Sequence, residues 1–117
     1  MATAISFPGT PVSTLRNQFF VPISVSSTGD TVLVAGIAGR RIRVVSYNFF
    51  VAAGVVVTFK SSVAGAITGP KSVASNGGIS TGEHPGGLFQ TAVGEDLVIN
   101  LSSNVSVGGE LTYILMP

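Results

Sequence analysis

The chain predicts an all-β domain, an antiparallel β-sandwich of jelly-roll type preceded by an extended N-terminal arm. Three observations lead there. Valine-rich runs carry apolar residues at every second position. Gly, Pro and Asn-Gly signals divide those runs at short intervals, and no window shows an apolar stripe with the 3.6-residue period of a helix. At 117 residues there is room for one domain and not for two ordinary ones. The expected division is an arm over residues 1–18 and a sandwich over residues 19–117.

The arm is read from Pro8-Gly9 and Pro11, which keep it out of regular structure, while Ile5, Phe7, Val12 and Leu15 recur at irregular spacing. A purely solvated tail has no use for those four side chains. They are expected to lie on a surface, either a neighbour's or the domain's own.

From Phe19 the alternation begins. Phe19, Val21, Ile23 and Val25 form one apolar face, and Ser27-Thr28-Gly29-Asp30 reads as a hairpin turn into a strand over 31–35. Gly36 and Gly39 precede a long run over 40–53. Its inward set slips from Ile42 and Val44 to Val45, Tyr47, Phe49 and Val51, which calls for a bulge near Val44 or burial on both faces. After Gly54, Val55, Val57 and Phe59 point inward. Residues 61–87 are irregular, with short strands expected around Ile79 and over 88–91. Two strands close the chain: 96–102 with Leu97, Ile99 and Leu101 inward, and 110–116 with Leu111, Tyr113 and Leu115 inward. Gly108-Gly109 reads as the turn between them. The long middle connection suits a strand passing between sheets, hence a jelly roll, with an immunoglobulin-like sandwich as second choice.

Composition narrows function. Charged residues make up 9% of the chain, against about 25% in an average soluble domain. Polarity comes instead from 14 Ser and 10 Thr, beside 15 Gly and 17 Val. Such a surface is poorly protected against self-association, so part of it is expected to be buried in an assembly, a homo-oligomer of two or three copies. A net charge of +1 argues against a nucleic-acid binder working by phosphate neutralisation. The longest charge-free apolar stretch, 44–59, is interrupted and too short to span a membrane as a helix. The first nine residues lack a basic segment and a long apolar core, so no secretion signal is expected, and the sequons at Asn100 and Asn104 are read as chance. No cysteine is present, which removes disulfides and thiolate chemistry.

Catalytic constellations are missing. His84, the single histidine, sits in Thr81-Gly82-Glu83-His84-Pro85-Gly86-Gly87 with no nucleophile elbow anywhere, and reads as an exposed loop residue. One His, no Cys and scattered carboxylates make neither a zinc nor a calcium site, and no cofactor or small-molecule substrate is expected. Glu95-Asp96 is the one adjacent carboxylate pair; strand neighbours point to opposite faces, so it reads as a charged turn. The stretch 65–72 imitates a phosphate loop, but Pro70 removes a required N–H. Arg41 and Arg43 flank the inward Ile42 and share a face, which suits bidentate contact with an acidic protein surface or, equally, protection of a strand edge. No Trp is present, and Tyr47 and Tyr113 lie in apolar alternation, which speaks against sugar recognition through those rings.

Three stretches resemble small virion proteins of tailed bacteriophages. They are Gly39-Arg40-Arg41-Ile42-Arg43-Val44-Val45-Ser46-Tyr47, then Asn76-Gly77-Gly78-Ile79-Ser80 with Pro85-Gly86-Gly87-Leu88-Phe89-Gln90-Thr91, and the ending 94–102 with 107–113. The likeness spans roughly residues 31–116 and rests on turn and strand patterns. It implies a capsid decoration, or cement, protein. Such a protein is a small β domain, made in the host cytoplasm, that binds the capsid exterior as an oligomer and locks neighbouring copies of the major capsid protein. On this reading Ile5, Phe7, Val12, Leu15, Arg41 and Arg43 are the expected interface residues. A tail-fibre or receptor-binding β-sandwich module is the alternative.

Overall fold

The structure, a computed structural model, describes residues 17–117. The expected arm residues Ile5, Phe7, Val12 and Leu15 lie outside them. Ten strands follow in order: β1 (Phe19–Val25), β2 (Gly29–Val34), β3 (Arg41–Val51), β4 (Val55–Ser61), β5 (Gly65–Ala66), β6 (Lys71–Val73), β7 (Gly78–Ser80), β8 (Phe89–Gln90), β9 (Leu97–Leu101) and β10 (Val107–Met116). Among the described residues there is no helix.

Two antiparallel sheets pack face to face. One has the order β1-β10-β3-β7, with β8 beside β7 on the same flank of β3; the other runs β2-β9-β4-β5, with β6 also on β4. The chain therefore changes sheet at six of its nine connections, and the first and last strands are neighbours. That is jelly-roll topology. The short pairs β5/β6 and β7/β8 are two broken edge strands, one to each sheet.

The switch of alternation in β3 is a bulge. Thr112 faces Ser46 while the next residue, Tyr113, faces Val44, so Val45 is the extra residue. Without it Ile42 and Val44 would share the core only at the expense of Tyr47, Phe49 and Val51; with it all are buried. In β4 the apolar set Val55, Val57 and Phe59 is buried, and in β9 so is Leu97, Ile99 and Leu101. Phe59 joins the two layers. Its ring centroid lies 5.1 Å from Tyr47, 5.1 Å from Phe89 and 6.5 Å from Phe49, separations at which aromatic pairs attract beyond their area burial.

Two expected turns are something else. Ser27-Thr28-Gly29-Asp30 does not close a hairpin: β1 pairs with β10 and β2 with β9, so this segment is a corner between sheets. A β-strand leaving one sheet and a hairpin turn use the same Gly and Asp chemistry. Gly108-Gly109 lies within β10, opposite Phe50 and Phe49 on β3 and Ser24 and Ile23 on β1. The glycines are there for space. A β-carbon on Gly109 would strike the Asn48 carbonyl oxygen and come within 2.7 Å of Phe49 Cα.

Hydroxyls finish the ladders that the broken edges leave open. The amide of Ile42 donates to Thr91 Oγ1 at 3.0 Å and that of Tyr47 to Thr81 Oγ1 at 3.0 Å. On β4, Val56 N donates to Ser102 Oγ at 2.9 Å and Phe59 N to Thr68 Oγ1 at 3.1 Å. Each hydroxyl satisfies an amide that would otherwise lack a strand partner.

Candidate interaction surface

The outward positions of the β1-β10-β3 sheet follow from alternation: Phe20, Pro22 and Ser24 on β1; Gly108, Glu110, Thr112, Ile114 and Met116 on β10; Arg41, Arg43, Ser46, Asn48 and Phe50 on β3. Phe20 is 75% exposed and Phe50 62%. Between these rings the only charge is Glu110, which has no partner among the described residues. Large aromatic rings held in water on a regular strand mark a surface that other molecules cover.

The opposite sheet faces water differently. Asp30 on β2 receives Lys60 Nζ at 3.1 Å and Asn100 Nδ2 at 2.7 Å, a polar row across β2, β9 and β4. These bonds, the Asn100 amide foremost, hold the Asp30 carboxyl below the usual aspartate range. Asp30 is about half exposed and Lys60 about a third, so solvent screens the pair and it adds little stability.

A loop crosses the outward face of the β1-β10-β3 sheet. Residues 82–87 interrupt the edge strand between β7 and β8. His84 N donates to the bulge carbonyl of Val45 at 2.9 Å, and Gly87 N closes the loop on His84 O at 2.8 Å. Gln18, just before β1, donates to Glu83 Oε2 at 2.6 Å. Because β10 and β3 lie between β1 and this loop, that bond draws Glu83 over the sheet. Val45 and Ile114 stand apart from the central core and are nevertheless buried.

The sequence-derived candidates separate here. Arg41 and Arg43 do share the outward face. Arg43, however, donates to Gln90 Oε1 from Nε at 3.0 Å and from Nη2 at 2.9 Å, with its stem against Gly87. Arg41 is half-buried and has no partner among the described residues. His84 presents its side chain to solvent. Glu95 Oε1 accepts from Ser61 Oγ at 2.6 Å, Ala64 N at 2.8 Å and Val63 N at 2.9 Å. Asp96 Oδ1 accepts from Gly36 N at 2.6 Å. The carboxylate pair therefore ties loops together, each residue serving a different one. Among the described residues no group of three His, Cys, Asp or Glu is placed to hold a metal ion, and no helix is long and apolar enough to cross a membrane.

Phe20 and Phe50 were not singled out by sequence reasoning, although the signal was present. If Val21 and Ile23 face inward then Phe20 faces out, and the same holds for Phe50 between Phe49 and Val51. Comparison with models of known families, with characterised proteins and with solved structures finds no match.

Proposed function

We propose that the chain is a structural virion protein, a decoration protein that binds the exterior of a tailed-bacteriophage capsid across neighbouring copies of the major capsid protein, as a dimer or trimer. One observation carries the assembly part of this reading: the outward face of the β1-β10-β3 sheet exposes the rings of Phe20 and Phe50 around a single carboxylate, while the other sheet carries a polar row beside the exposed Val32. The capsid as partner rests on the sequence resemblance. Binding of this kind needs no nucleic acid, membrane or catalytic group. A second reading, a receptor-binding module of a tail fibre, is favoured by the groove beside Phe50 described below.

The test uses the full chain. Light scattering after size exclusion, at tens of micromolar, is expected to give a dimer or trimer, and co-sedimentation with capsids lacking the protein is expected to show saturable binding. Burying a Phe ring contributes roughly 1.5–3 kcal/mol. Phe20→Ser should therefore weaken assembly or capsid binding by on the order of 10–100-fold. A stable monomer that ignores capsids, or a Phe20→Ser variant that behaves as the parent in both measurements, would overturn the reading.

A further inference from the structure

We propose that the groove beside Phe50 is a binding subsite for a neutral pyranose sugar. The groove opens where β1, β3 and β10 end, with a volume of about 480 Å³, within the size range of small-molecule sites. Three features select the ligand.

The first is the aromatic ring. Phe50 faces a glycine on each side, Gly108 on β10 and Gly78 on β7. Its ring is seated against Gly78, where a β-carbon would come within 2.5 Å of Phe50 Cδ1. Gly108 leaves the other flank clear, with no atom closer than 3.9 Å to the place of a β-carbon. The ring is thus fixed from below, and the residue is 62% exposed. A fixed ring with an open face is a platform for the apolar C–H face of a sugar, and its position is settled before the ligand arrives.

The second is the ring of hydroxyls. Ser24, Ser26 and Ser106 line the groove, and none of their side chains has a hydrogen-bond partner among the described residues. Each hydroxyl both donates and accepts, as sugar hydroxyls do, so the two sets complement one another in either orientation. The third is the lack of charge. No ionisable side chain lines the groove, which disfavours phosphates, carboxylates and cations, since nothing there would replace their hydration. A ligand with one apolar face, an edge of hydroxyls and no charge is a neutral pyranose.

The inference rests on the second reading, in which Phe50 stays uncovered by neighbouring molecules. It is read by a different measurement, so that its failure and that of the assembly reading are told apart. The probes are methyl β-glucopyranoside, methyl β-galactopyranoside, methyl α-mannopyranoside and N-acetylglucosamine, titrated into the ¹⁵N-labelled full chain. At least one should give saturable amide shifts confined to residues 24–26, 50–52 and 106–108, with half-saturation on the order of 1–10 mM. Phe50→Ala should weaken that binding at least about 10-fold, a loss of roughly 1.4 kcal/mol. Phe50→Trp should retain it, and Val63→Ala, at an exposed turn after β4 and away from the groove, should leave it unchanged. Sialic acid, which is anionic, and glycerol should give no localised shifts. Absence of saturation with all four glycosides, glycerol shifts equal to theirs, or equal binding by Phe50→Ala would overturn the proposal.

Discussion

Adding one methyl group to either of two adjacent glycines in β10 should have opposite consequences. At Gly108 the new β-carbon meets nothing nearer than Ile23 O at 3.9 Å. Gly108→Ala is expected to be neutral or slightly stabilising, because a strand glycine is less favourable than alanine by roughly 0.5–1 kcal/mol. At Gly109 the β-carbon would strike the Asn48 carbonyl and lie 2.7 Å from Phe49 Cα and 2.8 Å from Asn48 C. All three are backbone atoms of the central strand β3, so no side-chain rotation relieves the contact. β10 must instead move away from β3 where the ladder is continuous. Forcing extra volume into packed structure costs about 1–3 kcal/mol. Two weakened ladder bonds beside it add roughly 0.5–1.5 kcal/mol each. The sum, about 2–6 kcal/mol, is a large part of the roughly 5–15 kcal/mol that holds a domain together. For a domain of this size it corresponds to a fall in Tm on the order of 10–30 °C. Urea and thermal unfolding of Gly108→Ala and Gly109→Ala, followed by circular dichroism, measures the difference. Two variants within about 1 kcal/mol of each other would refute the close approach of β3 and β10 on which this reasoning rests.

Two further predictions concern single side chains. His84→Ala should leave stability within about 0.5 kcal/mol and binding to capsids unchanged, because the contacts of this residue are main-chain bonds to Val45 and Gly87 that alanine keeps; loss of binding with the fold intact would place the interface at this loop. Glu95 is held below the usual glutamate range by the Ser61 hydroxyl first and by the amides of Ala64 and Val63 next. A depressed folded-state pKa stabilises the fold at pH values above the unfolded-state value, and that contribution is lost as pH falls through the folded value. Glu95→Gln should therefore lower stability at neutral pH, and the gap between variant and parent should narrow between roughly pH 5 and pH 3. A gap that widens on acidification would show that the carboxylate is not favoured by those donors.

Period-two alternation is a local property, and wherever it decided the structure the strands were legible. The inward sets of β4 and β9 were readable residue by residue, and the slip in β3 announced the Val45 bulge. Pairing is a different kind of information. Ser27-Thr28-Gly29-Asp30 carries the residues of a hairpin turn, yet it joins strands in different sheets, and nothing within four residues records that. Gly108-Gly109 illustrates the same limit: a glycine needed because two strands come close is indistinguishable, in one sequence, from a glycine needed for a turn. The abundant hydroxyls were read as surface polarity. Thr68, Thr81, Thr91 and Ser102 instead accept from strand amides, contacts spanning 9 to 49 residues that composition does not reveal. Of the candidate surface, Arg41 and Arg43 were correctly assigned to one face, but the Gln90 side chain that engages Arg43 lies 47 residues away.

Charge economy connects the composition to the surface. Five carboxylates serve the whole chain, and four of them are used inside the domain. Asp30 binds Lys60 and Asn100. Glu83 takes the Gln18 amide, and Glu95 and Asp96 fasten loops to the ends of β4 and β9. Only Glu110 remains, between Phe20 and Phe50, on a face whose other strand charges are Arg41 and Arg43. Recognition between the two rings therefore runs on apolar burial and hydroxyl hydrogen bonds, with Glu110 and Arg41, neither partnered among the described residues, available to set orientation rather than to supply affinity. The same reasoning explains why a chain so poor in charge can hold a defined fold: hydroxyls close the open ladders, and the few ions are placed where a loop needs an acceptor. The aromatic rings on the outward face are then not leftovers of core composition. Alternation sets Phe50 between Phe49 and Val51, which are already buried, and Phe20 beside the partly buried Val21, so their exposure is a feature of the strand itself and their use lies outside the domain.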